Sequence, residues 1–391
     1  MTKFKLHNID YYILFWAAYH LGLYFRMPGS SIFLLITLIW SFFDMIRLYS
    51  QPRKRSNFLI AYTSFFLMLV LYGFFLILIG GSLITEYGSM DKYQYLFGVT
   101  SSLLPFYTFY RGFVEKKIDI NRVFYWIIPF AAVAISGYYL QLSNAIQTIY
   151  ETTGKDIDET VNGGAYLILG LIPFVCLSKK RFVQLLLFLL AMFLIITSYK
   201  RGPMLIFLVC MMYYFFNSKK KSGKKNGTTL LVIAAFSIGY VFIVDIFRES
   251  DVLQNRLAIT LSGSSSGRDS ILSMMFSAFL NSNLLQMLFG HGAYGTISLT
   301  GKLAHNDWVQ ILIDQGVVGV IIFGVFCWNL IRQGKIYNDN FNLKLSYGMF
   351  LIIFLMSSFF SMAFDRIPIY EMVILSAIVA HNETKTSFFQ V

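Results

Sequence analysis

Charge is what this sequence has least of. Asp, Glu, Lys and Arg together make up 13% of its residues, about half the share found in soluble domains. So few charges cannot cover the surface of a water-soluble chain of 391 residues. Cysteine is nearly absent as well. Cys176, Cys210 and Cys327 each fall inside an apolar run, with no CxxC pair and no His/Cys cluster. That excludes a disulfide framework and argues against a zinc site or any other metal centre. No small-residue cleavage site follows the basic start MTKFKLHNIDYYILFWAAYHLGLYF, so this stretch reads as a retained first span and not as a cleaved signal peptide.

What the chain does have is apolar residues, 57% of the total, gathered in runs and not in stripes. Runs near 20 residues match the thickness of a bilayer core. The expected fold is therefore all-α: a polytopic membrane protein with about twelve transmembrane helices forming a single domain over 1–391. The expected spans are 9–25, 31–49, 58–81, 95–114, 123–142, 161–178, 182–198, 203–217, 229–247, 307–331, 344–364 and 367–381.

Short cytoplasmic loops are rich in Lys and Arg. With twelve spans, PRKR at 52–55, EKK at 115–117, KKR at 179–181 and KKKSGKK at 219–225 all fall on one face, which is then the cytoplasmic one. Both termini lie on that face too. The net charge of +12 is thus mainly an orientation signal, and no nucleic-acid partner is expected. One connection is long, 248–306, on the outer face. Within it GRDSILSMMFSAFLNSNLLQMLFG reads as an amphipathic helix lying on or tucked against the membrane. Long ordered loops are usually functional.

The basic residues left outside are Arg26, Lys92, Lys155, Lys200, Arg201, Arg248, Arg256, Arg268, Lys302 and Arg366. Lys92 and Lys155 sit near acids in polar loops and read as solvated. SYKRGPML at 198–205 is different, because a turn of a few residues carries two cations. Gly202 can cap the next helix and Pro203 suits its first position. The positive end of that helix then lies beside Lys200 and Arg201, which makes a ready anion site or a lipid-headgroup contact. Arg268 opens a helix against the dipole, with Asp269 beside it as a local partner. Arg366 follows Asp365 at the turn FDRIP, and a local ion pair is its default reading. Arg248 lies one turn from Asp245 and reads the same way.

In GKLAHNDWVQILIDQGVVG, from Gly301, three polar groups meet at the mouth of an apolar helix. Asn306 or Asp307 can cap it, and Trp308 suits the interfacial belt. Asp307, Gln310 and Asp314 share one face, and Asp314 falls about 10 Å below the helix start. A carboxylate at that depth is expected to face a polar cavity, with Gly316, Gly319 and Gly324 admitting a neighbouring helix. His305 tops this pocket and, mostly neutral at pH 7, can accept a proton. His291, in the glycine turn FGHGAYG, reads as structural.

Four patterns now stand in order: TVNGGAYLILGLIP (160–173), TSYKRGPML (197–205), SGRDSIL (266–272) leading to LFGHGAYG (288–295), and AHNDWVQILIDQGVVG (304–319). Together they resemble the O-antigen ligase and Wzy-type O-antigen polymerase superfamily of membrane glycosyltransferases, over roughly 160–325. The resemblance implies a GT-C-like bundle in the bacterial cytoplasmic membrane, with its active site facing outward and no cofactor. It implies polyprenyl-diphosphate-linked glycan as donor and acceptor, membrane lipids as surroundings and a chain-length regulator as a candidate partner. Asn162, Arg201, Arg268 and His305 match the family's motif positions, while Lys200 replaces the Ser usual before the first Arg. His305, with Asp307 or Asp314, is then the catalytic group. Arg201, Lys200, Arg268 and Arg366 hold the diphosphate, and Asn162, Asn306 and Gln310 line the substrate pocket. The expected activity is an inverting polysaccharide polymerase. The alternatives are a ligase using a lipid A-core acceptor and, in a different class, a flippase of lipid-linked oligosaccharide or a receptor without chemistry.

Overall fold

The computed structural model describes residues 7–51, 56–79, 83–85, 88–153, 161–221, 254, 268–335, 340–361 and 368–388. Among the described residues the fold is helical apart from one short antiparallel pair of strands. In chain order the elements are α1 (Asn8–Tyr24), α2 (Ser31–Ser50), α3 (Asn57–Ile79), β1 (Leu83–Thr85), β2 (Gly88–Met90), α4 (Tyr93–Leu103), α5 (Pro105–Val114) and α6 (Ile120–Val123). They continue with α7 (Ile127–Thr153), α8 (Ala165–Val175), α9 (Arg181–Ile196) and α10 (Arg201–Lys221). The rest are α11 (Arg268–Leu280), α12 (Leu284–Phe289), α13 (Gly295–Thr300), α14 (Asp307–Lys335), α15 (Phe341–Phe360) and α16 (Ile369–Phe388).

Among the described residues, five helices are long and apolar enough to cross a membrane: Ser31–Ser50, Asn57–Leu78, Phe124–Thr148, Asp307–Gly334 and Phe341–Phe360. By length and composition the chain is a multi-pass membrane protein. The twelve-span count remains an expectation of the sequence, and its ninth span, 229–247, lies outside the described residues. Three expected spans change form, the tenth by a break at Gly316. The stretch 95–114 divides into α4 and α5, because Pro105 has no N–H to carry the ladder across the junction. The fifth runs on to Thr153, well past its expected end at 142. The antiparallel pair β1–β2, with Ile84 opposite Ser89, was not expected from the sequence.

The chain divides into two compact units. The first comprises 1–37, 116–264 and 338–353. In it α7 packs on both α1 and α8, and α8 packs on α9 and α10. Close approach explains the α7 contacts: a Cβ on Gly137 would lie 2.7 Å from Leu167 and 2.8 Å from Tyr24. Trp16, Phe130 and Phe174 continue the seam edge to face, with centroids 5.4 and 5.2 Å apart. The buried Asp10 carboxylate is satisfied by the indole of Trp126 at 2.9 Å and the His7 amide at 2.7 Å.

The second unit comprises 38–115, 265–337 and 354–391. Here α14 packs on α3 and α16 on α5. Phe65 of α3 stacks on Phe326 of α14 at 5.0 Å. Ser376 of α16 donates to the Phe106 carbonyl at 3.1 Å. Arg111 pairs with Asp44 and with Glu115.

The feature that shapes this unit is a break in α14. Gly316 has φ 69° and ψ −167°, a non-helical conformation inside the helix. The long apolar segment therefore starts at Val317, and Asp307–Gln315 is a separate short helix ahead of it. Of the three glycines expected to admit a neighbouring helix, Gly316 does so for the end of α12, and Gly319 and Gly324 do not. A Cβ on Gly316 would fall on the Leu288 carbonyl and the Gly290 amide. One on Gly319 would meet α14's own Gln315 and Ile311, and one on Gly324 would meet nothing within 4 Å. An alanine at 316 must adopt a backbone region that costs about 1–3 kcal/mol without glycine. Gly316→Ala should lower the thermal midpoint of the detergent-solubilised chain, and Gly324→Ala should leave it unchanged.

Candidate functional site

In the second unit the site is built around the broken end of α14. The last carbonyls of a helix lack intrahelical donors, and here backbone from the preceding loop supplies them. The His291 amide donates to the Ile313 carbonyl and the Gly292 amide to the Asp314 carbonyl, both at 2.9 Å. Gly290, at φ 78°, lies so close that a Cβ would fall on the Asp314 backbone. Two glycines, 290 and 316, thus let two backbones meet without side chains between them.

Asp314 reinforces this clasp. Its side chain is fully buried. One carboxylate oxygen accepts from the Thr296 amide at 2.9 Å, and the other from the Tyr294 amide at 3.2 Å and the Gln310 amide nitrogen at 2.5 Å. Tyr294 stands at φ 56° just before α13, so the carboxylate caps that short helix. Gln310 is buried on the same face. It donates to the Thr296 hydroxyl at 2.7 Å and accepts from the Ala304 amide at 3.2 Å. Asp307, Gln310 and Asp314 do share a face, and all three are buried. The face is not an open polar cavity beneath His305, because residues 291–304 use the groups of Gln310 and Asp314. Asp314 bonds Tyr294, Thr296 and Gln310 and not the imidazole.

Below this network lies a small apolar core. Met275 of α11 packs with Ala304, Val309 and Ile313, and Ile271, Leu272 and Phe279 close around them. The buried positions on α11 recur three to four residues apart, so one stripe of that helix faces α14.

His305 is set by its neighbours. Ala304 is buried and held by Gln310. Asn306 caps α14, accepting from the Trp308 and Val309 amides at 3.0 and 3.2 Å, and donates to the Phe359 carbonyl at 3.1 Å. Between these two anchors His305 adopts φ 52°, a left-handed conformation rare outside glycine, and its side chain is exposed. Trp308, in the first turn of α14, packs against Phe323 at 4.8 Å and stacks on Phe359 at 5.8 Å.

Arg268 is the first residue of α11. Arg366 and its neighbour Asp365 lie outside the described residues, as do Arg248 and Arg256.

The first unit holds the other motif residues. Asn162 is fully buried. Its side chain donates to the Tyr138 carbonyl at 3.0 Å and accepts from the Gly164 amide at 2.8 Å, and its own amide donates to the Ser198 carbonyl at 2.8 Å. One asparagine therefore ties α7, the start of α8 and the turn before α10. That turn carries Tyr199 at φ 54°. Lys200 and Arg201 follow, both partly buried. Helix α10 begins at Arg201, two residues before Pro203, so the guanidinium is borne by the first turn itself. A Cβ on Gly202 would lie 2.5 Å from the Tyr166 hydroxyl, which explains a glycine there. Among the described residues, no group of three or more His, Cys, Asp or Glu side chains is placed to hold a metal ion.

The sequence reading missed the partners of the clasp: Tyr294, Thr296 and the backbone of 288–292. Their signal was present in the glycines of FGHGAYG, which mark positive φ at Gly290 and Gly292. His291 was read as structural, and it sits in that role. Ser282 donates to the Ala278 carbonyl at 2.8 Å, so the His291 Nε2–H donates to the Ser282 oxygen at 2.7 Å. Burial pushes the His291 pKa below its usual 6.5. The folded chain then binds fewer protons here than the unfolded chain. The stability linked to neutral His291 is present above the unfolded pKa and is lost as pH falls through the folded one. The thermal midpoint should therefore drop as pH falls below the ordinary histidine pKa of about 6.5, and His291→Gln should flatten that slope.

No curated protein matches the chain. Residues 186–324, a span that holds Lys200, Arg201, Arg268, His305 and the whole clasp, match the family model described as O-antigen ligase. The middle of the chain is thus similar to the O-antigen ligase family, consistent with the O-antigen ligase/Wzy superfamily.

Proposed function

We propose that this chain polymerises polyprenyl-diphosphate-linked oligosaccharide repeats at the outer face of the bacterial cytoplasmic membrane. The carrying observation is His305: an exposed imidazole fixed in a left-handed backbone between two anchored residues, within the segment that matches the O-antigen ligase family. A general base needs this combination of access and fixed position.

In the proposed reaction an acceptor sugar hydroxyl attacks the anomeric carbon of the donor. Its proton passes to the His305 ring. The bond from the anomeric carbon to the diphosphate breaks, and the electron pair leaves with the diphosphate, inverting that carbon. Lys200, Arg201, Arg268 and Arg366 are the cations assigned to the departing charge, where fixed positive groups act most strongly. Diphosphate leaves without a general acid, and no metal enters the scheme. Asp307 is the carboxylate assigned to orient the imidazole. Asp314, whose bonds all go to 294–310, supports the loop on which the imidazole stands. Asn162 holds the turn that presents Lys200 and Arg201. Asn306 and Gln310 anchor the two sides of His305 and so act on the acceptor through it.

The test is reconstitution of the purified chain in proteoliposomes with matching lipid-linked repeats. The wild type should lengthen the glycan and release polyprenyl diphosphate without lipid A-core. His305→Ala should slow this by about 10²-fold or more with an unchanged thermal midpoint. Full activity in His305→Ala would exclude its role as base. Turnover only with lipid A-core would make the chain a ligase. Lipid-linked repeats accumulating on the inner leaflet of His305→Ala cells would point to transport.

A further inference from the structure

We infer that the elbow joining α11 and α12 is embedded in the hydrocarbon layer of the bilayer, with its leucines against lipid acyl chains. The elbow is apolar on the outside. Leu280, Leu284 and Leu285 are 71%, 72% and 69% exposed, with Phe276 and Phe289 exposed beside them. Exposed leucines in this number mark a surface that meets something other than water.

Three observations make that partner lipid. The first is charge: from Ser270 to Gly301 there is no Lys, Arg, Asp or Glu, although a loop in water would carry them. The second is how the polar groups of the turn are used. The Asn283 side-chain oxygen accepts from the Gln286 amide at 2.9 Å, and the Gln286 side-chain oxygen accepts from the Asn283 amide at 3.2 Å. Ser282 is engaged by Ala278 and His291. The amides of Asn281, Ser282, Met287 and Gly290 all donate within the elbow. Internal satisfaction of this kind is what non-helical backbone needs at membrane depth. The third is location. The Tyr72 hydroxyl donates to the Phe289 carbonyl at 2.5 Å. Tyr72 lies in α3, seven residues before its end at Ile79, which is about 10 Å along the helix. The α3 side chains around it, Leu71, Phe74, Phe75 and Leu78, are themselves exposed apolar groups. The elbow therefore continues the apolar belt of a helix long enough to span the membrane, at the depth of Tyr72.

The reading is sharper than a helix lying on the membrane surface, and it does not depend on the proposed chemistry. It predicts a re-entrant element, held from behind by the clasp on α14.

Single substitutions Leu284→Cys and Leu285→Cys, labelled with an environment-sensitive fluorophore, test it in vesicles of phosphatidylethanolamine and phosphatidylglycerol. The native cysteines are buried, and mock-labelled wild-type chain gives the background. The expected result is blue-shifted emission that lipids carrying a chain-borne nitroxide quench strongly and aqueous iodide leaves intact. Quenching by iodide, with none from the lipid nitroxide, would overturn the inference. Protection from both quenchers, with cross-linking between chains at the same position, would mean that a second copy covers the elbow, and this too would overturn it. If labelling at 284 or 285 lowers the thermal midpoint, Leu280→Cys on the other arm gives the same readout.

Discussion

Two backbone hydrogen bonds across a pair of glycines hold the second unit's site together. His291 and Gly292 donate to the carbonyls at the broken end of α14, and neither Gly290 nor Gly316 leaves room for a Cβ between the strands of chain. A helix break inside an apolar segment leaves polar groups that must find partners. This chain uses that demand to fasten a loop to a span. The Asp314 carboxylate then fixes the next six residues by capping α13, and Gln310 carries the tie on to Ala304. Each link is local, yet together they run from the break to the residue beside His305.

Rigidity of this kind suits the proposed base, which has to hold its position. The backbone of His305 is held by its neighbours in sequence, Ala304 bonded to Gln310 and Asn306 at the helix cap. The first unit uses the same device with different residues. Asn162 is buried and spends its side chain on backbone groups, and the turn it holds is the one that carries Lys200 and Arg201. In both units the buried polar motif residue acts on backbone, and the neighbouring residue is more exposed.

Much of this was legible in the sequence, because apolar runs and charge scarcity depend only on composition. The helical class followed from them. The positions of α2, α3, α9 and α15 followed too, as did the shared face of Asp307, Gln310 and Asp314. What could not be read was the meaning of a glycine. Gly316 looked like a packing residue in a continuous span, and only its φ of 69° shows that the span breaks there. Once the helix breaks, a carboxylate that seemed to point into a cavity becomes a cap for a loop helix. The partners of Trp308 were not legible either, because its packing on Phe323 and Phe359 is a tertiary fact. The division of 95–114 at Pro105 was visible in principle, since proline removes a ladder bond wherever it stands.

Hydrogen–deuterium exchange on the Asp314→Ala chain in nanodiscs tests the clasp most directly. If the carboxylate organises the loop, the amides of Tyr294 and Thr296 lose protection together with those of His291 and Gly292, while the helix beyond Val317 keeps its own. Unchanged protection across 291–304 would show that the loop stands without Asp314, and the structural account of how His305 is held would then be wrong.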